Sequence, residues 1–444
     1  MTKLSQLART LGGGKPRPYW LLFAPFAAAA QVPTPAPAQA APIVLVGGTL
    51  HTGTGQVIEN AAVAFDKGRL VYAGPRAGFT QTGYEARDVS GQQVYPGLIL
   101  PNTTLGLSEV EAVRATVDEE EVGALNPNVR ALIAYNTDSD VTPTVRINGV
   151  LLAQPTPRGG FLSGASSVVQ LDAWNWQDAV VKADDGLHIT WPAMVIKANP
   201  AEDAAALTRR QDARTAQLRD LEQLMSEAAA YRQLPAGRKE NLRLSAMTGL
   251  FDGTKTLYIH ADYGKELIES VRMAKRLGVQ KVALVGARDA WMVLDFLKQN
   301  DVPVVLSRVQ ALPRRDGDDY DQPYKLPAQL QAAGIRYCLD FQGDQETSRS
   351  RNLPFVAGQA VAFGLTKEQA LTAITLSPAR IMGIDKDYGS LEVGKSATLI
   401  VSRGDLLDMR TNALTQAYID GRSLTLESKQ TALDRKFRAK YGLE

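Results

Sequence analysis

Histidine and cysteine are the scarce residues of this chain: 444 residues hold three of the first and one of the second. The single Cys338 excludes an internal disulfide and any Cys-x-x-Cys zinc or redox site. It lies in the apolar run Tyr337-Cys338-Leu339, which reads as a buried, inert thiol. The histidines, His51, His188 and His260, are far apart, so no His-Glu-x-x-His helix is present. Also missing are a Walker A loop, a Gly-x-Gly-x-x-Gly turn after a strand and a Gly-x-Ser-x-Gly elbow. The net charge is only +2 and no Lys/Arg stripe stands out, which argues against a nucleic-acid partner.

What is present divides the chain into segments. Lys3, Arg9, Lys15 and Arg17 precede an apolar stretch, Tyr19 to Ala30, with Ala28 and Ala30 as an A-x-A cleavage site. Residues 1–30 are therefore expected to be a signal peptide. The stretch is too short to span a bilayer, so no membrane anchor is expected and the product is periplasmic or secreted. Residues 31–42 (QVPTPAPAQAAP) form a Pro/Ala linker, extended and unable to build a core.

From Ile43 to Val94 short apolar runs alternate with turn residues such as Gly47-Gly48 and Asp66-Lys67-Gly68, the pattern of an antiparallel β unit. His51, in a turn-rich stretch, reads as a loop residue capping backbone. From about residue 254 the rhythm is β/α. It predicts strands at Thr256–His260, Lys281–Val285, Val302–Leu306 and Ile335–Leu339. Helices are expected at Lys265–Leu277, Ala287–Lys298 and Leu326–Ala333. Asp203–Tyr231 reads as mostly helix, and the basic tail Thr431–Tyr441 as another helix. The repeat length suits parallel crossovers of a barrel or an open sheet.

Several blocks carry a resemblance. Ile43–Leu50 with Gly47-Gly48, followed by Val94-Tyr95-Pro96-Gly97-Leu98-Ile99, resembles the opening of the amidohydrolase superfamily, in its imidazolonepropionase-like branch. Gly364–Leu371 and Thr375–Arg380 look like that family's last barrel helices, and Gly389–Ile400 like its return into a small β domain. The resemblance implies an α/β fold: a distorted (β/α)8 TIM barrel with a small composite β-sandwich from the N- and C-terminal segments. The implied boundaries are 43–97 with 386–424 for the sandwich, 98–385 for the barrel and 425–444 for a C-terminal helix. The implied chemistry is hydrolysis of amide or other carbon–nitrogen bonds at one or two divalent metals.

The metal ligands are where this chain departs from that pattern. The family follows Pro-Gly-Leu-Ile with a His-x-His pair, whose two imidazoles face the same way on a strand. Here Leu100-Pro101-Asn102-Thr103-Thr104 stands in its place, so Asn102 and Thr104 hold the two histidine positions. His260 matches the third histidine. The fourth position falls at Val285-Gly286-Ala287, and the last-strand aspartate is Asp340, unless Gln342 holds that register. An amide and a hydroxyl are poor zinc ligands, so no metal or cofactor is expected; zinc is expected only if a family-type site survives. His260 and Asp340 are the catalytic candidates, and Asn102, Thr104 and Gln342 the pocket candidates.

Other features take blander readings. His188 reads as structural, and Ser163–Ser167 as a Gly/Ser loop rather than a nucleophile site. Glu109–Glu121 reads as a solvated helix face, Trp174, Trp176 and Trp191 as core packing, and Arg314–Asp321 as a lid or binding loop. Two functional readings from different classes remain. One is a hydrolase acting on a small amide, cyclic amide or peptide-like ligand. The other is a non-catalytic relative that binds such a ligand or docks a partner. A homo-oligomer, or a hetero-oligomer with an intact amidohydrolase, would suit the second.

Overall fold

Eight strands follow one another around the larger sheet of the computed structural model, which describes residues 34–194, 204–235, 237, 239–343 and 345–443. The expected signal peptide and the first linker residues lie outside that range. In sheet order the strands are Leu98–Thr103, Val150–Pro155, Leu162–Gln170, Val180–Thr190, Thr256–Ala261, Val282–Gly286, Val304–Leu306 and Tyr337–Leu339. Seven run parallel; the third runs antiparallel to both neighbours. The reason is local. Only six residues join the second and third strands, with Gly159 and Gly160 both at positive φ, and a connection that short permits only a reversal. The ring closes through Ala373-Ile374, whose carbonyls accept from Leu339 N–H and Ile99 N–H at 3.0 Å each. The fold is thus a distorted (β/α)8 barrel.

Helix Gly264–Arg276 shows why the outer layer forms. Leu267, Val271 and Ala274 recur at helical spacing and bury against the sheet, while Lys265 and Arg272 face out. Inside the ring, residues two apart on a strand share a face, and Tyr258, Ala283, Val285, Val305 and Cys338 pack together there. Cys338 is fully buried, and burial raises its thiol pKa well above the ordinary value.

The smaller β layer is made from both ends of the chain. Leu399–Ser402 is hydrogen-bonded between Gln93–Pro96 and Leu414–Ile419, and a second sheet of four strands, Ile43–Val46 among them, packs on it. Leu45, Leu50, Phe65, Val94, Leu399 and Tyr418 form the shared core. Helix Lys429–Tyr441, capped by Ser428, follows with no buried residue.

Several expectations are corrected. The helix expected over Ala287–Lys298 is broken into a 3-10 turn, Ala290–Met292, and a short helix, Leu294–Gln299. Gly286 and Ala287 take positive φ, and the Ala287 and Asp289 amides bond back to Ala261 and Asp262 carbonyls, so no helix can start there. Glu109–Glu121 is an irregular loop with one 3-10 turn, Arg114–Thr116, because Thr116 Oγ1 bridges the backbone of Val110 and Val113. Ser163–Ser167 lies within the buried third strand, not in a loop. Trp174 and Trp191 sit beyond opposite ends of strand Val180–Thr190. Trp191 is buried and Trp176 packs against the same barrel core, as expected, but Trp174 is exposed. The 34–42 part of the linker is irregular yet pinned, with Ala36 N–H on Asp172 Oδ2 at 2.9 Å and Gln39 bonded to Phe65 O.

His51 does not cap backbone. Its Nδ1 meets Glu368 Oε1 at 2.7 Å and its Nε2 meets Gln93 Oε1 at 2.9 Å, with the ring stacked on Tyr95. It thereby ties the sandwich strand Thr49–His51 to helix Lys367–Thr372. Burial alone would lower its pKa, but the bonds to Glu368 and Gln93 and the Glu368 charge outweigh it and raise it above 6.5. That stabilisation is full below 6.5 and is lost as pH rises through the higher folded value. Urea unfolding at several pH values should show the gap between the native protein and Glu368→Gln widest below 6.5 and shrinking above it. A gap constant with pH would remove His51 from the joint.

Asp172 carries a second joint. Its carboxylate, 3% exposed, pairs with Arg146 at 2.6 Å and Arg422 at 2.7 Å, and so links helix Thr142–Arg146, the end of the third barrel strand and the chain's C-terminal segment. Asp172→Ala leaves Arg146 buried without its partner and is expected to cost about 3–5 kcal/mol, read as a lower urea midpoint at unchanged slope.

Candidate active site at the barrel mouth

The C-terminal ends of the barrel strands bring His260, Asp340 and Asn102 toward one another, although they are up to 238 residues apart in sequence. Asn102 has φ +47, a left-handed conformation that asparagine tolerates better than most residues. Its amide Nδ2 donates to Asp340 Oδ2 at 2.9 Å, while its backbone N–H donates to Gln154 Oε1 at 3.0 Å. Thr104 is buried, with its Oγ1 2.9 Å from Thr347 Oγ1 and its N–H on Glu346 Oε1. Gln342 contributes its backbone N–H to Asp340 Oδ1 at 2.9 Å, so the carboxylate in register with the mouth is Asp340.

The residue that organises this mouth went unread in the sequence. Arg158 follows the second barrel strand, where Thr156 N–H is fixed to Thr103 O and the Arg158 N–H to Glu119 O. Its guanidinium donates to Asn102 Oδ1 at 2.8 Å, to Asn102 O at 2.9 Å and to Glu346 Oε1 at 2.8 Å. A permanent cation with fixed donors therefore lies against the Asn102 side chain.

Beneath the mouth runs a buried polar column. Asp185 accepts from Ser166 Oγ at 2.7 Å, Gln154 Nε2 at 2.8 Å and Tyr258 OH at 2.9 Å. Ser166 Oγ lies 2.9 Å from His188 Nε2, and His188 Nδ1 lies 2.9 Å from His260 Nε2. His188 also stacks on Tyr258, with ring centroids 4.6 Å apart. The structural role that the sequence suggests for His188 is thus extended to a direct contact with His260, which the sequence pattern does not link to it. The signal lay in the pairing of neighbouring strands, which sets Thr190 opposite His260 and His188 opposite Tyr258.

Electrostatics follow from these positions. Burial, and then the Arg158 charge, push His260 down to about 3, so its imidazole is neutral at physiological pH. Burial pushes Asp340 up to about 7, against the Asn102 and Gln342 hydrogen bonds that favour its ionised form. Burial also raises Asp185.

This donor set does not fit a divalent ion. Asn102 offers an amide already spanning Asp340 and Arg158, Thr104 is tied to Thr347, and His260 Nε2 faces His188. A cation brought here would also meet the guanidinium. Among the described residues, no group of three or more His, Cys, Asp or Glu side chains is placed to hold a metal. The Arg314-Arg315 loop is tethered at the rim, with Arg314 on Asp262 at 2.7 Å and 4.0 Å over the Tyr263 ring, and Arg315 on Asp289.

Exchanging Arg158→Met together with Glu346→Gln removes the cation without stranding a carboxylate. His260 is then expected to titrate at a higher pH than in the native protein, yet below the ordinary 6.5 because burial remains. Histidine NMR against pH reads this directly; an unmoved His260 would show that Arg158 does not act on it.

Comparisons with known proteins agree with this architecture. The amidohydrolase family model matches residues 345–424. An imidazolonepropionase of Flavobacterium psychrophilum is 34% identical over 82 residues, which span 18% of this chain and 20% of that protein. A 5-methylthioadenosine/S-adenosylhomocysteine deaminase of Symbiobacterium thermophilum is 24% identical over 400 residues, covering 81% of this chain and 84% of its own length. Among solved structures, an amidohydrolase from Thermotoga maritima superposes with a TM-score of 0.75 at 19% identity, covering 86% of this chain and 99% of that one.

Proposed function

Because the chain belongs to the amidohydrolase superfamily and resembles its imidazolonepropionase-like branch, we propose that it keeps the barrel of these carbon–nitrogen hydrolases without their metal-dependent catalysis. In this reading it is an exported, non-catalytic relative that uses the barrel mouth to bind a small amide- or peptide-like ligand, or its surface to dock an intact amidohydrolase. One observation carries the proposal: the Arg158 guanidinium is bonded to Asn102 and Glu346 at the mouth. It supplies a fixed positive charge there, and it is a poor neighbour for a second cation. The export element rests on the basic and apolar start of the chain, residues 3–30.

The facing imidazoles of His188 and His260 favour a second reading, a hydrolase that works without metal. Metal analysis by mass spectrometry after expression with added zinc, joined to hydrolysis assays on N-acyl and dipeptide substrates, separates the two. The expected result is metal well below one ion per chain and no cleavage. Metal-free cleavage abolished by His260→Ala would favour the second reading. Near-stoichiometric zinc that disappears in His260→Ala would overturn both.

A further inference from the structure

The buried column can be followed proton by proton. Gln154 Oε1 is occupied by the Asn102 N–H, so its Nε2 is the end that meets Asp185. Tyr258 OH and Ser166 OH also point at that carboxylate, so three donors converge on one acid. An ionised Asp185 satisfies all three; a protonated one would have to turn one of them around. With Ser166 donating to Asp185, its oxygen is left to accept from His188 Nε2–H. His188 Nδ1 is then bare and accepts from His260 Nε2 at 2.9 Å. His260 therefore carries its proton on Nε2. Its Nδ1 has no partner among the described residues, and the residue is only partly buried.

From this geometry we infer that Asp185, Ser166 and His188 are positioning residues that lock His260 in the Nε2–H tautomer, leaving Nδ1 as a hydrogen-bond acceptor for a ligand at the barrel mouth. The chemical class follows. The acceptor takes an N–H or O–H donor, and the nearby Arg158 charge disfavours a cationic one, so the matching group is neutral: an amide N–H or a hydroxyl. An isolated neutral imidazole exchanges its proton between the two nitrogens; here the choice is made at Asp185, some distance below the mouth. Protonating Asp185 would run the whole chain in the opposite sense, with Ser166 donating to His188 Nε2, His188 Nδ1–H donating to His260 Nε2, and the His260 proton on Nδ1. The inference rests on the metal-free reading of the mouth.

Nitrogen-15 NMR decides it, helped by a chain that has only three histidines. His51→Gln leaves two rings to assign. At neutral pH, His188 and His260 are both expected as Nε2–H tautomers with bare Nδ1 atoms. Acetamide titrated to high concentration should move the His260 Nδ1 resonance, whereas N,N-dimethylacetamide, which has no N–H, should leave it in place. Ser166→Ala should mix the His260 tautomers and Ser166→Thr restore one. Should Ser166→Ala fail to fold, the native tautomers alone settle the matter. A metal-free protein with Nδ1–H on His260, or with equal responses to the two amides, overturns this inference while leaving the proposed function standing. A His260 signal displaced by stoichiometric zinc, measured on the same sample, overturns the function instead.

Discussion

The barrel mouth depends on a single guanidinium. Arg158 reaches the carbonyl and side chain of Asn102 and the carboxylate of Glu346, and its own backbone is held by Glu119. A divalent ion would draw imidazoles and carboxylates inward by coordination. Arg158 instead holds an amide and a carboxylate by directional hydrogen bonds of 2.8–2.9 Å, with its charge delocalised and permanent. The neighbours are those such a cation tolerates: a neutral His260, an Asp340 shifted toward its neutral form, and one partnering carboxylate in Glu346.

Directional hydrogen bonds also organise the polar groups below. A neutral His260 can only be oriented by hydrogen bonding, and the chain of His188, Ser166 and Asp185 does that within an otherwise apolar barrel interior of Tyr258, Ala283, Val285 and Val305. Each member has a partner, as a buried polar network requires if it is not to be destabilising. Mouth and column meet at Gln154, which accepts from Asn102 and donates to Asp185. Asn102 is therefore linked to His260 through Gln154, Asp185, Ser166 and His188.

Much of the scaffold was legible in the sequence because it rests on local chemistry. Alternating apolar runs with Gly-rich breaks give the sandwich strands, and the spacing of Leu267, Val271 and Ala274 gives the outer helix. The places where the reading failed are those where a neighbour overrides local preference. Ala287 cannot begin a helix because its amide is used by Ala261, and Ser163–Ser167, loop-like in composition, is a strand because it pairs with Gly186–His188 and is bridged to Arg130. His51 looked like a turn residue until Glu368, 317 positions away, arrived beside it.

By itself the sequence determined that no His-x-His pair follows Pro96-Gly97-Leu98-Ile99, that His260 and Asp340 are the candidates left, and that a barrel and a composite sandwich frame them, since residue identity and hydrophobic period are written along the chain. Only the tertiary structure decided what surrounds Asn102 and His260. Nothing in Pro157-Arg158-Gly159 distinguishes that arginine from any surface arginine. It becomes the cation of the mouth because the turn from second to third strand lifts it over Asn102. His188 becomes the partner of His260 because strand pairing, which spans 72 residues here, brings the two rings within one hydrogen bond.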